Sequence, residues 1–317
     1  MPPFLFCITL TWDYWQLCKE SITKAQPMNR KNFMKQSLLG AFGVVVSKSL
    51  TAKPEKTRTS TYDRMMEQVG FNHLPNQEHR TMKTVLHKAD SRGHANHGWL
   101  DSHHTFSFAN YYNPERMNFG ALRVLNDDVV QGGKGFATHP HDNMEIISIP
   151  LEGDLEHKDS MGNTTVIKEG DVQVMSAGTG VYHSEYNKNT DREVRFLQIW
   201  MFPNQKNVKP RYDQITLDQG KSHNQWQQVL SPNVEDEGVW VHQNAWFHIG
   251  RFDQGQGQPY SLKGKGTGVY IFVLDGQVQI GDQTLNRRDG LGIWHVDQIA
   301  VNATEDARIL LMEVPMA

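Results

Sequence analysis

A chain of 317 residues, 38% hydrophobic and 21% charged, has the make-up of an ordinary folded protein. It is long enough for two domains, because single cores stop growing efficiently beyond roughly 250 to 300 residues. No run reaches the ~20 consecutive apolar residues of a membrane-spanning helix, and a formal net charge of −3 with scattered Lys and Arg offers no basic stripe for nucleic acid. The two cysteines, Cys7 and Cys18, sit in the first twenty residues. The rest of the chain therefore has no thiol to serve as nucleophile or ligand, and its chemistry falls to carboxylates, hydroxyls and 15 histidines.

Residues 1–27 are an extension to which the pattern assigns nothing. Residues 28–52 carry a basic start (Arg30, Lys31, Lys35), an apolar run from Leu38 to Val46 and then small residues. That is the layout of an export signal. Arg30-Lys31-Asn32-Phe33-Met34-Lys35 resembles a twin-arginine signal with Lys in the second position, which makes the periplasm the expected location and the cytoplasm the alternative. Residues 53–81 are polar and aperiodic and read as a flexible linker. After signal removal nothing is expected to insert stably in a membrane.

From Met82 onward, apolar residues come in short runs broken by Gly, Asn and Asp. Ala121–Leu125, Met144–Pro150, Val172–Met175 and Arg195–Phe202 form one set. Trp246–Ile249, Val269–Leu274, Val278–Ile280 and Ile309–Val314 belong to a second. The runs are too short for ordinary helices and rich in the β-branched and aromatic residues that suit a pleated surface. An all-β protein of two related barrels in tandem is expected, at 82–205 and 206–317. Leu151-Glu152-Gly153 and Leu274-Asp275-Gly276 are corresponding points of the repeat.

The first half contains His139-Pro140-His141-Asp142-Asn143-Met144-Glu145 and, further on, His183-Ser184-Glu185. In a strand, residues two apart share a face, so His139, His141 and Glu145 have one parity and His183 and Glu185 another matched pair. Two such strands meeting inside a barrel would bring three imidazoles and a carboxylate onto one divalent ion. On parity alone, Glu145 and Glu185 compete for the carboxylate role.

These paired segments resemble the two motifs of the cupin superfamily. Gly93-His94-Ala95-Asn96-His97-Gly98-Trp99-Leu100-Asp101-Ser102-His103-His104, Thr138-His139-Pro140-His141 and Met175-Ser176-Ala177-Gly178-Thr179-Gly180 are similar to one branch, the pirin family. The resemblance covers Met82 to Ala317. It implies two jelly-roll cupin barrels with one metal in the first, held by His139, His141, His183 and Glu185. Iron(II) is the metal it favours, with Mn, Co, Ni, Cu and Zn compatible with the donor set. It also implies the chemistry of quercetin 2,3-dioxygenases, which open the central ring of a flavonol with O₂ and release carbon monoxide. Glu185 is then both ligand and acceptor of the flavonol hydroxyl proton. A flavonol-like aromatic and O₂ are the expected partners, and a monomer the expected state. Two other readings stand beside it: a non-catalytic metal-binding or redox-responsive protein, and a different cupin reaction on an unidentified substrate.

The second barrel lacks an H-x-H pair, His295 standing alone, and is expected to be metal-free. Trp99, Phe106 and Phe108 are candidates for an aromatic pocket wall. Asp101, His103 and His104 are candidates for groups that orient the ligands, and Phe136 and Met175 are expected to pack.

Overall fold

The structure, a computed structural model, describes residues 81–316. The export signal expected at 28–52 and all of the linker but Thr81 lie outside these residues. Among the described residues there is no α-helix, only two short 3-10 turns, and no helix long and apolar enough to cross a membrane. The all-β expectation is met.

The first half of the chain supplies β1 (Lys83–His87), β2 (Gly93–Asn96), β3 (Leu100–His104), β4 (Leu122–Val130), β5 (Gly135–His141), β6 (Glu145–Glu152), β7 (Asp154–Asp159), β8 (Thr164–Lys168), β9 (Asp171–Ser176), β10 (Val181–Asn187) and β11 (Val194–Met201). The second half supplies β12 (Arg211–Thr216), β13 (Trp226–Ser231), β14 (Val239–Trp240), β15 (Trp246–Phe252), β16 (Gly257–Ser261), β17 (Thr267–Asp275), β18 (Val278–Ile280), β19 (Gln283–Leu285), β20 (Gly290–Trp294), β21 (Gln298–Ala303) and β22 (Ala307–Pro315).

Each barrel is a double sheet. The first closes a seven-stranded sheet, β12-β9-β6-β11-β4-β3-β2, with a four-stranded one, β5-β10-β7-β8. The second closes β1-β20-β17-β22-β15-β13-β14 with β16-β21-β18-β19. This is the tandem jelly-roll arrangement that the cupin resemblance implies. Gly153 and Gly276, with φ of 79° and 77°, turn the corner after β6 and after β17. The shared Leu-x-Gly of the repeat is therefore a shared left-handed corner, a conformation that a Cβ disfavours.

Two strands cross between the barrels. β1 pairs with β20, Lys83 opposite Trp294 through His87 opposite Gly290, and β12 pairs with β9. A break drawn at 205/206 misplaces both. Each exchanged strand lies at one end of a large sheet, covering an edge that the host barrel would otherwise expose.

The seven-stranded sheets pack face to face through Leu125, Ile147, Leu197, Phe247, Tyr270 and Leu310 among others. Each such side chain contributes on the order of 1.5–3 kcal/mol when fully buried. At this interface Asp127 pairs with Arg92 at 3.2 Å and with Arg288 at 2.9 Å, joining the barrels electrostatically. The second barrel is filled mostly by apolar side chains such as Val269, Ile271, Leu291 and Leu311, with Glu313 and His248 buried beside them. The first is different: its interior is apolar at the two ends, around Leu155 and Phe196 and around Ile146 and Met175, with buried polar groups between.

Candidate metal centre

β10 is the strand on which the polar interior is organised. Its alternation buries Val181, His183, Glu185 and Asn187 and turns Tyr182 and Tyr186 outward. On one side it pairs with β5, His183 opposite His139 and Val181 opposite His141. On the other it pairs with β7, Glu185 opposite His157 and His183 opposite Asp159. β5 approaches closely because residue 135 is glycine; a Cβ there would collide with the Glu185 carbonyl oxygen. The register shift between His183 and Glu185 gives the strand a local irregularity between its two chemical residues.

The ladder thus gathers His139, His141 and His183, whose potential ligand nitrogens lie within 4.8 Å of one another. Their ring centroids are 4.4 to 4.9 Å apart. Glu185 joins through His183: it forms with His183 and His157 a second group of the same closeness. Exposure falls along the site. His139 and His141 are half-buried at its outer side, whereas His183 and Glu185 are each only 2% exposed.

Burial sets the protonation states. It lowers the pKa of His139 and takes those of His141 and His183 well below the ordinary value, so the three imidazoles are neutral at neutral pH. Glu185 is pushed up to about 7 by burial, against the hydrogen bonds it receives. Those bonds fix the carboxylate: Ser148 Oγ donates to Oε1 at 2.9 Å and Gln198 Nε2 to Oε2 at 2.6 Å. The Nδ1 of His139 lies 2.7 Å from the Ala137 carbonyl. As donor there, it leaves Nε2 free as an acceptor.

Among the described residues, His141 Nε2 and both ring nitrogens of His183 are buried without a hydrogen-bond partner. Orphaned buried nitrogens of this kind call for a partner. Neutral imidazoles with a carboxylate beside them suit a divalent ion of borderline softness, so the donor set fits the metal expected here.

Parity had left Glu145 in contention. The turn after His141 contains Asn143 with φ of 47°, and Glu145 opens a strand of the other sheet. Its carboxylate accepts from Ser176 Oγ at 2.7 Å and stands close to Arg211 and the His242 backbone, away from the three-histidine group.

Sequence reasoning missed four residues of this interior. His157 lies with its ring centroid 5.3 Å from that of His183, its Nε2 3.0 Å from Asp159. Ser148 and Gln198 hold Glu185. Trp200 stands edge-on to His141 at 4.9 Å and to Phe108 at 5.3 Å. The inward parity of β11 could have signalled Gln198 and Trp200, and Glu156-His157-Lys158-Asp159 offered a further histidine two residues from a carboxylate.

Of the proposed pocket wall, Phe108 alone reaches this neighbourhood. Phe106 packs on Tyr270 and His87 in the core between the barrels, and Trp99 packs on Phe136 at the far end of the interior. Phe136 and Met175 pack, as expected. His104 faces inward, its Nε2 2.8 Å from Ser102 Oγ, which donates in turn to Asp128. Asp101 and His103 occupy the opposite face of β3 and pair with each other and with His94. They make no contact with His139, His141 or His183 among the described interactions.

The chain matches two family models, Pirin over residues 85–201 and the quercetinase C-terminal cupin domain over residues 228–314. It is 45% identical over 232 residues to the quercetin 2,3-dioxygenase of Escherichia coli (strain K12), covering 73% of this chain and 98% of that protein. It is 37% identical over 225 residues to a pirin-like protein of Caulobacter vibrioides, covering 71% and 96%. The crystal structure of the bacterial pirin YhhW in complex with nickel(II) from Escherichia coli superposes with a TM-score of 0.70 at 42% identity, covering 74% of this chain and all of that one. The chain belongs to the pirin family.

Proposed function

We propose that this protein is a metal-dependent dioxygenase that opens the central ring of flavonols such as quercetin with O₂. The observation that carries the reading is the convergence of His139, His141 and His183, all neutral, beside the carboxylate of Glu185 in a polar barrel interior. The 45% identity with a quercetin 2,3-dioxygenase across nearly its whole length supports the substrate class. His139, His141, His183 and Glu185 would hold one divalent ion. The nickel(II) complex of YhhW supports a divalent metal, and iron(II) is our favoured occupant. Such an ion, when bound, supplies Lewis-acid polarisation and one-electron redox chemistry.

The protein's own groups do the rest. Glu185, fixed by Ser148 and Gln198, accepts the proton of the substrate hydroxyl. Trp200 and Phe108 give the His141 side an aromatic wall for a flat ring system. The second barrel backs, through an apolar interface, the seven-stranded sheet from which Ser148, Gln198 and Trp200 project. The layout of residues 28–52 supports the periplasm as the place of action.

The test is quercetin consumption, O₂ uptake and carbon monoxide release by the full chain loaded with iron(II) or nickel(II). We expect equimolar changes in all three that stop under anaerobic conditions, and a loss of about 10² or more in rate for Glu185→Gln. If the protein takes up the metal and leaves quercetin intact in air, the substrate reading fails and a binding role or another cupin reaction takes its place.

A further inference from the structure

β2 and β3 form an antiparallel hairpin at the edge of the first barrel's large sheet, with His94 opposite His103 and Asn96 opposite Asp101. Alternation sends Ser102 and His104 into the barrel and leaves His94, Asp101 and His103 together on the outer face. The two imidazoles lie nearly parallel, centroids 4.4 Å apart and planes inclined by 20°. Asp101 Oδ1 is 2.6 Å from His94 Nε2 and 3.8 Å from His103 Nδ1. One ligand atom from each residue lies within 4.8 Å of the other two.

We propose that His94, Asp101 and His103 form a second metal site, on the outer surface, that takes a divalent ion of the zinc, nickel or copper class. Ligand atoms on one such ion at ~2.1 Å lie within ~4.2 Å of each other, so a small rotation of one exposed imidazole completes the geometry. The donor set of two nitrogens and one carboxylate oxygen prefers these ions to magnesium or calcium, which seek all-oxygen sites. The backbone ladder already holds the two histidines side by side, so binding has little chain left to order. Arg92 is the neighbouring cation that would oppose an ion here. The Arg92 guanidinium is itself engaged by Asp127 at 3.2 Å. Exposure of 50%, 42% and 37% for the His94, Asp101 and His103 side chains leaves room for water on the remaining positions.

The site is independent of the proposed reaction, and it predicts that metal analysis returns two ions per chain instead of one. The test uses demetallated, tag-free full chain titrated separately with Zn²⁺ and Ni²⁺ by calorimetry, with metal content measured after equilibrium dialysis. Wild type is expected to bind two equivalents. His94→Ala/His103→Ala should bind one and keep quercetin turnover, whereas His139→Ala/His141→Ala should keep the outer equivalent. Asp101→Asn should weaken the outer equivalent by at least the roughly tenfold that losing a metal-supporting residue costs, and it serves as the decisive variant if the double one does not fold. No equivalent retained by His139→Ala/His141→Ala, or a stoichiometry and affinity unchanged from wild type in these outer-face variants, would overturn the proposal.

Discussion

His139 and His183 face each other across neighbouring strands in direct register, with ring centroids 4.4 Å apart. Their separation is therefore set by the backbone ladder and not by a loop, which makes the candidate metal centre part of the barrel wall. His183→Ala should abolish retention of the inner ion. Chelation of the wild type should lower its thermal midpoint, since an ion present at a hundred times its Kd adds about 2.7 kcal/mol of stability. Melting curves with and without chelator check both statements, and the variant should show no shift from the inner site.

Gln198 is a positioning residue for Glu185. Gln198→Leu removes the donor at 2.6 Å and leaves a buried carboxylate oxygen without it. The cost in stability is about 1–3 kcal/mol. Turnover should fall through kcat with KM changed little, and Gln198→Glu should not rescue it because a second carboxylate repels the first. Steady-state kinetics on the variants, with metal content measured alongside, separate positioning from loss of the ion.

Asp128 gives the pH dependence a sign. Burial, reinforced by nearby Asp127 and Glu185 and opposed by the Ser102 hydrogen bond, pushes it up to about 7 from an ordinary 3.8. Between those limits the unfolded state releases a proton that the folded state keeps, so this group weakens folding as pH rises through the window. Asp128→Asn should match the wild type near pH 4 and exceed it above pH 7 by a few kcal/mol, at about 1.4 kcal/mol per unit. Thermal midpoints of the two proteins across this range give the answer.

Asp127 serves a different purpose. Both of its partners are cations nearly shut off from water, Arg92 at 6% and Arg288 at 9% side-chain exposure. Asp127→Ala leaves two buried guanidiniums facing each other and should destabilise the fold by on the order of 3 kcal/mol. Denaturant titration measures it, and a change below 1 kcal/mol would show that this buried ion triad adds little to the joining of the barrels.

What could be read in advance follows from what is local. The alternation in His139-Pro140-His141 and His183-Ser184-Glu185 carries its own geometry, as does the repeated glycine corner at Gly153 and Gly276, so the barrels and three histidines were legible. Glu145 shows where parity fails: the left-handed Asn143 and a change of sheet intervene, and counting residues no longer fixes the face. His157 and Gln198 enter the site only through cross-strand register, which no neighbouring residue encodes. The pairing of Lys83–His87 with Gly290–Trp294 is the same problem at a separation of some two hundred residues.

The most direct measurement is anomalous X-ray scattering from crystals of the metal-loaded full chain. The account predicts a metal peak in the first barrel bonded to His139, His141, His183 and Glu185. A fully loaded protein with no peak in that barrel, or with a peak there that leaves out His183, would contradict it.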